Sequence, residues 1–171
     1  MKRKSMRNGL RNCALAMSFL AAMSAGANDF TPKNPMTMWY DVPATATGVK
    51  NVWMEYSLPI GNGQLGGSLF GGLNKDEIQF NEKTLWTGKT SDMQGYGGGY
   101  GQYKNFGSIY VEDLSGVFLP GKDGEVKDYV RSLDLQEGIG RVVCSSDQYM
   151  TSYDRTYFVS NPDKVMVARY T

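Results

Sequence analysis

Histidine is absent from all 171 residues of the sequence. It is the commonest general base of enzymes and the commonest zinc ligand of proteins. Its absence excludes the Ser-His-Asp and Cys-His catalytic arrangements from this chain. The remaining Cys, Asp and Glu residues form no evident cluster of metal ligands, so we expect neither a metal ion nor another cofactor.

Cysteine is nearly as scarce, with Cys13 near the start of the chain and Cys144 toward its end. Cys13 lies in a segment that we expect to be removed, which leaves one thiol and excludes an internal disulfide in the mature chain. The apolar residues before Cys144 predict a strand, so we expect a buried and inert thiol there. A reactive thiolate needs an activating group nearby, and the sequence places none beside Cys144.

The sequence also lacks an apolar run long enough to span a bilayer as a helix. Residues 13–23 form a short apolar run, followed by the small residues of an Ala25-x-Ala27 cleavage pattern. A basic segment precedes this run, with Lys2, Arg3, Lys4, Arg7 and Arg11. This arrangement predicts a signal peptide over residues 1–27, with a short membrane anchor as the alternative. We therefore expect an exported protein, periplasmic or secreted, with no membrane span after cleavage.

Basic charge is scarce once this segment is removed. The whole chain has 18 Lys plus Arg and 17 Asp plus Glu, and residues 1–27 contain five basic residues and no acidic one. The mature chain therefore keeps 13 basic and 17 acidic residues, a net charge of −4. A mildly acidic domain gives no reason to expect binding to nucleic acid or to an anionic membrane.

Long helical patterns are missing, whereas glycine (21 residues) and tyrosine (11 residues) are abundant. Short stretches of alternating apolar and polar residues are separated by turn signals such as Asn62-Gly63 and Asn161-Pro162. The pattern predicts an all-β fold, an antiparallel β-sandwich. Residues 128–134 fit either a strand or a short helical turn. The other main predicted strands are 53–58, 65–70, 77–81, 108–113, 140–145, 148–152, 155–159 and 164–171.

Three segments make up the predicted domain organisation. Residues 1–27 are the signal peptide, 28–36 a flexible N-terminus and 37–171 the β-sandwich domain. The predicted strand at 164–171 reaches the last residue without a polar tail, whereas a domain normally ends in a loop or an exposed terminus. We therefore expect the sandwich to be incomplete at its C-terminal end.

Two motifs that suggest catalysis or cofactor binding have the wrong context. Gly61–Gly66 is a literal GxGxxG, but the glycine-rich residues after it cannot hold the helix that a dinucleotide site requires, so we expect a β-turn instead. The neighbouring pairs Asp76-Glu77 and Glu112-Asp113 lie on predicted strands, where adjacent side chains point to opposite faces. A glycosidase needs two carboxyl groups that face one cleft, which such pairs do not supply.

Aromatic residues are the remaining feature with a link to ligands. Trp39, Trp53, Trp86 and the tyrosines of the Gly/Tyr loop at 95–107 could stack on sugar rings, because both surfaces are flat and partly apolar. Core packing explains most tryptophans of a β domain. For Trp86 both interpretations stay open, since it follows the polar Asn81-Glu82 corner and precedes a turn.

Six segments together resemble the N-terminal domain of glycoside hydrolase family 95, the α-L-fucosidases, over nearly all of residues 37–171. LPIGNGQLG followed by NEKTLWTG is a specific pair of motifs. The related family 65 phosphorylases share the domain type but not these sequence motifs. The segments are WYDVPA (39–44), LPIGNGQLGGSLFGG (58–72), IQFNEKTLWTG (78–88), YKNFGSIYVE (103–112), YVRSLDLQEGIGRV (129–142) and YDRTYFVSNPDKVMVARYT (153–171).

The resemblance implies a large enzyme, in which a β-sandwich precedes a helical linker, an α-barrel and a C-terminal β domain. Such enzymes hydrolyse terminal α-1,2-linked L-fucose, or in some members L-galactose, with inversion. Their catalytic Glu and Asp lie in the barrel, and no position of this chain corresponds to them, so we assign no catalytic residue. A glycan substrate is expected to bind through the catalytic domain.

Four residues are candidates for the rim of the substrate cleft: Asn62, Asn81, Glu82 and Trp86. The alternative, which we favour for the first three, is that their side chains satisfy the backbone of turns. Two other functions stay open for the chain as a whole. It could be a stand-alone carbohydrate-binding module, or a structural β-sandwich module.

Overall fold

The computed structural model describes residues 29–47, 50–87, 102–117 and 126–171. The predicted signal peptide lies outside these residues, as do positions 95–101 of the Gly/Tyr loop and positions 118–125 of the chain. Within the described residues, no helix combines the length and the apolar character that crossing a bilayer requires.

Eleven strands account for most of the described backbone. A 3₁₀ turn (Ala44–Thr47) and a single helical turn, α1 (Val52–Glu55), lie between the first two strands. The strands are β1 (Thr37–Tyr40), β2 (Leu58–Gly61), β3 (Leu65–Leu69), β4 (Lys75–Glu82), β5 (Trp86–Thr87), β6 (Gln102–Tyr103), β7 (Gly107–Glu112), β8 (Val126–Asp134), β9 (Ile139–Ser146), β10 (Thr151–Val159) and β11 (Met166–Tyr170).

The strands form two main sheets. One has five strands in the order β1-β8-β9-β10-β11, and the other has four in the order β2-β3-β4-β7. A small third sheet pairs β5 with β6. Every pairing is antiparallel, and most neighbours are consecutive in the chain, as expected for strands joined by short hairpins. The prediction of an all-β antiparallel sandwich is confirmed.

The core lies between the two main sheets and follows from the alternation of side chains along the strands. In β2, Leu58 and Ile60 are buried whereas Pro59 and Gly61 are exposed. In β9, every second residue from Gly140 is buried. Burial of one large aliphatic side chain stabilises a fold by about 1.5–3 kcal/mol. The core comprises Leu58, Ile60, Leu69, Ile78, Val117, Tyr129, Leu133, Val142, Cys144 and Tyr157.

Cys144 belongs to this core, as predicted. Burial raises the pKa of its thiol, because the thiolate would lose its hydration there. The thiol therefore stays protonated and unreactive at neutral pH.

The predicted strand at 53–58 is wrong, because α1 occupies its first half and β2 begins only at Leu58. Its backbone makes helical hydrogen bonds, from Tyr56 N to Val52 O (3.0 Å) and from Glu55 N to Asn51 O (3.1 Å). The large side chains that suggested alternation are both exposed, Trp53 by 53% and Met54 by 70%. Without a sheet face on which to bury alternate residues, the segment has no reason to extend, and the strand begins only at Leu58.

Other predicted elements are confirmed with shifted boundaries. Residues 128–134 belong to strand β8 and not to a helical turn. The separation of the predicted strands at 148–152 and 155–159 is wrong, because residues 148–150 form a turn and one continuous strand, β10, runs from Thr151 to Val159. The turn that Asn62-Gly63 predicts begins only after Gly61, because Pro59 to Gly61 still pair with β3.

A buried carboxylate joins the two sheets. Asp76 of β4 is 2% exposed, and its Oδ2 accepts hydrogen bonds from the hydroxyls of Tyr157 (2.6 Å) and Tyr170 (2.8 Å) on the opposite sheet. The buried Arg155 lies in the same region and donates from Nη1 to Gly72 O and from Nη2 to Leu73 O, both at 2.5 Å. These bonds satisfy polar groups that would otherwise destabilise the interior.

Tyr129 forms a second link between the sheets. Its hydroxyl donates to Gly71 O at 2.6 Å. Gly71 has a φ of +66°, and a Cβ at this position would meet the Tyr129 hydroxyl and the Arg131 side chain. Glycine is therefore required here both by the left-handed backbone and by the close approach of the facing sheet.

Candidate functional site

The two most specific motifs of the sequence meet at one corner of the four-stranded sheet. The β2–β3 hairpin lies beside the end of β4 through the pairs Gly66↔Asn81 and Leu65↔Glu82. Between them is a shallow pocket of about 300 Å³. Its lining comprises Gly61, Gly63, Gln64, Leu65, Gly66, Asn81, Glu82 and Lys83.

Asn62 holds the hairpin turn together. Its Oδ1 accepts hydrogen bonds from the backbone N–H groups of Gln64 (2.9 Å) and Leu65 (2.8 Å), and its Nδ2 donates to Ser160 O at 2.6 Å. The side chain therefore has three backbone partners and faces a different hollow, beside Asn161. These bonds fit the interpretation of Asn62 as a turn residue.

Glu82 lines the corner pocket, and its carboxylate is also tied to a turn. Oε2 accepts from Thr84 N at 2.8 Å and from the Thr84 hydroxyl. These hydrogen bonds hold the pKa of Glu82 below its ordinary value. The side chain is thus an ionised acceptor at neutral pH and not a proton donor.

Asn81 and Trp86 have different surroundings. The Oδ1 of Asn81 accepts from Glu82 N at 2.8 Å, and within the described residues no protein acceptor contacts its Nδ2. Trp86 is 52% exposed on β5 and lines neither the corner pocket nor the groove described next. Of the four candidates, the structure brings Asn81 and Glu82 together and places Asn62 and Trp86 apart from them.

A larger concave surface of about 520 Å³, here called the outer groove, adjoins the corner pocket at Gly66 and Asn81. Residues of β2, β3 and β4 form its floor, and Trp53 of α1 and Asn105 before β7 lie beside them. The lining comprises Trp53, Pro59, Ile60, Gly66, Gly67, Ser68, Gln79, Phe80, Asn81 and Asn105.

Most polar side-chain groups of the outer groove lack hydrogen-bond partners among the described residues. Within the described residues, neither the Ser68 hydroxyl nor the Gln79 carboxamide has a protein hydrogen-bond partner. The Oδ1 of Asn105 accepts from Gly107 N at 3.0 Å, and its Nδ2 has no acceptor among the described residues. The cross-strand pair Ser68↔Gln79 places two of these groups side by side.

Sequence reasoning missed this groove except for Asn81. Trp53 was noted as an aromatic residue but was placed on a strand. Ser68, Gln79 and Asn105 are ordinary polar residues whose common surface appears only when three strands pair. Alternation along β4 places Gln79 and Asn81 on the same outer face, and this was the one available signal.

Two adjacent acidic residues, Glu112 and Asp113, interact with neighbouring side chains of the domain. Glu112 and Asp113 border one pocket of about 280 Å³, but Glu112 forms an ion pair with Lys75 at 3.0 Å. Burial opposes ionisation of Asp113, yet hydrogen bonds from Ser115 and Tyr153 outweigh it and lower its pKa. A glycosidase acid requires the opposite, a raised pKa.

The same direction holds for the other carboxyl groups with shifted pKa values. Hydrogen bonding to Arg141 lowers the pKa of Asp154. Burial opposes ionisation of Asp134, but hydrogen bonds from Asn34 and two backbone N–H groups still lower its pKa. Among the described residues, no three His, Cys, Asp or Glu side chains come close enough together to hold a metal ion.

The described part of the chain is thus an antiparallel β-sandwich with an uncharged, partly aromatic groove on its four-stranded sheet. The sequence matches the family described as "Glycosyl hydrolase family 65, N-terminal domain" over residues 38–98 and 90–171. The chain belongs to this family. The prediction of a glycoside-hydrolase N-terminal domain is thereby confirmed, and the narrower assignment to family 95 stays a prediction.

Two relatives of the chain carry fucosidase names. The chain is 27% identical to "Alpha-L-fucosidase 2" of Arabidopsis thaliana, over 73% of this chain and 17% of that protein. It is 26% identical to "Probable alpha-fucosidase A" of Aspergillus niger, over 92% of this chain and 21% of that protein. The chain therefore spans about a fifth of the length of these relatives.

Proposed function

We propose that this chain is the N-terminal domain of an exported glycoside hydrolase that removes terminal α-1,2-linked L-fucose from glycans with inversion. In this proposal the β-sandwich is a scaffold that borders the substrate cleft, and another domain supplies the acid and the base. The signal peptide at 1–27 directs the enzyme to the periplasm or the medium.

The family match carries the proposal, since its two overlapping parts cover residues 38–171. The two fucosidase relatives support L-fucose as the sugar. Inversion needs one carboxyl group with a raised pKa and a second that activates water from the opposite face. The lowered pKa values of Glu82, Asp113, Asp134 and Asp154 support a non-catalytic role for this domain.

The corner pocket is the best candidate for the part of the domain that borders the cleft. It unites the LPIGNGQLG hairpin with the NEKTLW corner, and the glycines of the hairpin allow close backbone approach. Asn81 contributes an unused amide donor there, whereas Asn62 and Glu82 keep the two turns in shape. Trp86, on β5, follows this corner in the chain but does not line the corner pocket.

Disruption of the coding region for residues 38–171 in the source organism tests this function. We expect the exported fraction to lose α-L-fucosidase activity on 2′-fucosyllactose, measured as free L-fucose, and restoration of the intact region to recover it. A strain that carries only synonymous codon changes in this region serves as the control. Unchanged fucose release after disruption would contradict the proposed function.

A further inference from the structure

The outer groove owes its depth to small residues on the middle strand of its floor. Gly66 is a strand residue without a left-handed φ, so its backbone does not require glycine. A Cβ there would meet nothing closer than Ile60 O at 3.9 Å. At the neighbouring Gly67, a Cβ would come within 2.8 Å of Met166 Cε, which gives that glycine a packing reason. Neither packing nor backbone conformation requires glycine at position 66. The absence of a side chain there leaves open space in the groove.

Among the residues that the structure describes, none with an ionisable side chain lines the outer groove. A site for a phosphate or a carboxylate would be expected to present Arg, Lys or a helix N-terminus, and a site for a cation would present carboxylates. The groups present are a hydroxyl (Ser68) and three carboxamides (Gln79, Asn81 and Asn105). Such groups both donate and accept hydrogen bonds, which matches an uncharged ligand with many hydroxyls.

Trp53 adds a flat apolar surface to this polar floor. Its indole is 53% exposed on α1 and lines the groove, although core burial is the usual place for so large a side chain. The Ser57 hydroxyl donates to Trp53 O at 2.6 Å, which fixes the turn that carries the ring. An aromatic face beside hydroxyl and amide groups is the combination that a sugar ring fits, with its apolar face on the indole and its hydroxyls toward the amides.

We propose that the outer groove binds a neutral glycan, with one sugar ring stacked on Trp53 and its hydroxyls hydrogen-bonded to Ser68, Gln79, Asn81 and Asn105. The choice of a fucosylated glycan as the ligand rests on the proposed function. All of these residues belong to this domain, so the domain holds part of the glycan without a catalytic residue.

Isothermal titration calorimetry of the purified chain with 2′-fucosyllactose tests the site, with lactose as a second ligand. We expect saturable binding of 2′-fucosyllactose. Trp53→Ala removes the stacking surface and should weaken binding about tenfold. Gly66→Val fills the floor with a residue that favours strands and should abolish binding while the thermal unfolding midpoint is kept.

Met54→Ala is the matched control, because Met54 lies on the same helical turn and is 70% exposed but does not line the groove. It should bind like the unchanged chain. The proposal is overturned if neither sugar binds, or if binding survives both Trp53→Ala and Gly66→Val. Neither of these results would change the expected outcome of the gene disruption, namely the loss of exported fucosidase activity. The glycan site and the proposed function can therefore fail independently of each other.

Discussion

Replacement of Asp76 by alanine should lower the free energy of unfolding by about 3–5 kcal/mol, the range seen when one partner of a buried charged contact is removed. Asp76 is the shared acceptor for two tyrosine hydroxyls of the opposite sheet. Its loss leaves the hydroxyl of Tyr157, a residue that is 1% exposed, without an acceptor and opens a cavity between the sheets. Urea denaturation followed by tryptophan fluorescence measures the change.

Two variants separate this explanation from a general sensitivity of β4. Glu77→Ala changes the next residue, whose carboxylate faces outward and accepts hydrogen bonds from the hydroxyls of Ser108 and Tyr110. This variant should lower the free energy of unfolding by less than about 1 kcal/mol. Tyr157→Phe in the Asp76→Ala background should cost far less than in the unchanged chain, because the acceptor is already absent. Equal losses for Asp76→Ala and Glu77→Ala would refute the role of Asp76 as an inter-sheet acceptor.

Alkaline pH should unfold the protein steeply once it passes about 10, the ordinary pKa of tyrosine. Burial raises the pKa of Tyr129, and burial together with the Asp76 carboxylate raises that of Tyr157. A raised pKa in the folded state means that the unfolded chain loses its protons first. The stabilisation is therefore complete below pH 10 and is lost as the pH rises, by about 1.4 kcal/mol per pH unit for each tyrosine.

Urea midpoints measured between pH 8 and about 11.5 give this slope. Tyr157→Phe lowers stability at every pH, but it should remove about half of the slope that the two tyrosines contribute, and Tyr129→Phe should remove the other half. Tyr149→Phe, at an exposed tyrosine of the β9–β10 turn, serves as the control and should leave the slope unchanged. A slope that is identical in Tyr157→Phe and in the unchanged chain would contradict the account of these pKa values.

The sequence was sufficient to predict the positions of most strands in the two main sheets, because alternation and turn residues are local signals. β3, β4, β7, β9, β10 and β11 fall where short alternating runs and Asn-Gly or Asn-Pro turns predicted strands. The segment at 53–58 failed because alternation predicts a strand only where one face becomes buried. Trp53 and Met54 both remain exposed, and this depends on packing that the local sequence does not contain.

The inter-sheet contacts lay beyond sequence reasoning for a related reason. Asp76 was interpreted as one member of an adjacent acidic pair, and its alternation with Glu77 correctly placed the two on opposite faces. Its partners Tyr157 and Tyr170 are 81 and 94 positions away, and they meet it only when the two sheets stack. The buried position of this carboxylate therefore follows from topology and not from its neighbours in sequence.

The candidate site was predictable in part. The motifs at 58–72 and 78–88 drew attention to the corner where Asn81 and Glu82 meet the hairpin. The outer groove combines Trp53, Ser68, Gln79 and Asn105, which come from four separate segments. Their common surface is set by the register of β2, β3 and β4, and a shift of one residue would turn Ser68 and Gln79 into the core.

Fucose release by the purified chain tests the central claim most directly, namely that this β-sandwich has no acid–base pair of its own. The chain is incubated with 2′-fucosyllactose across the acidic and neutral pH range, and free L-fucose is measured against a sample without protein. We expect no fucose above that background, at any concentration of the chain. Release that rises in proportion to the amount of chain added would contradict the claim.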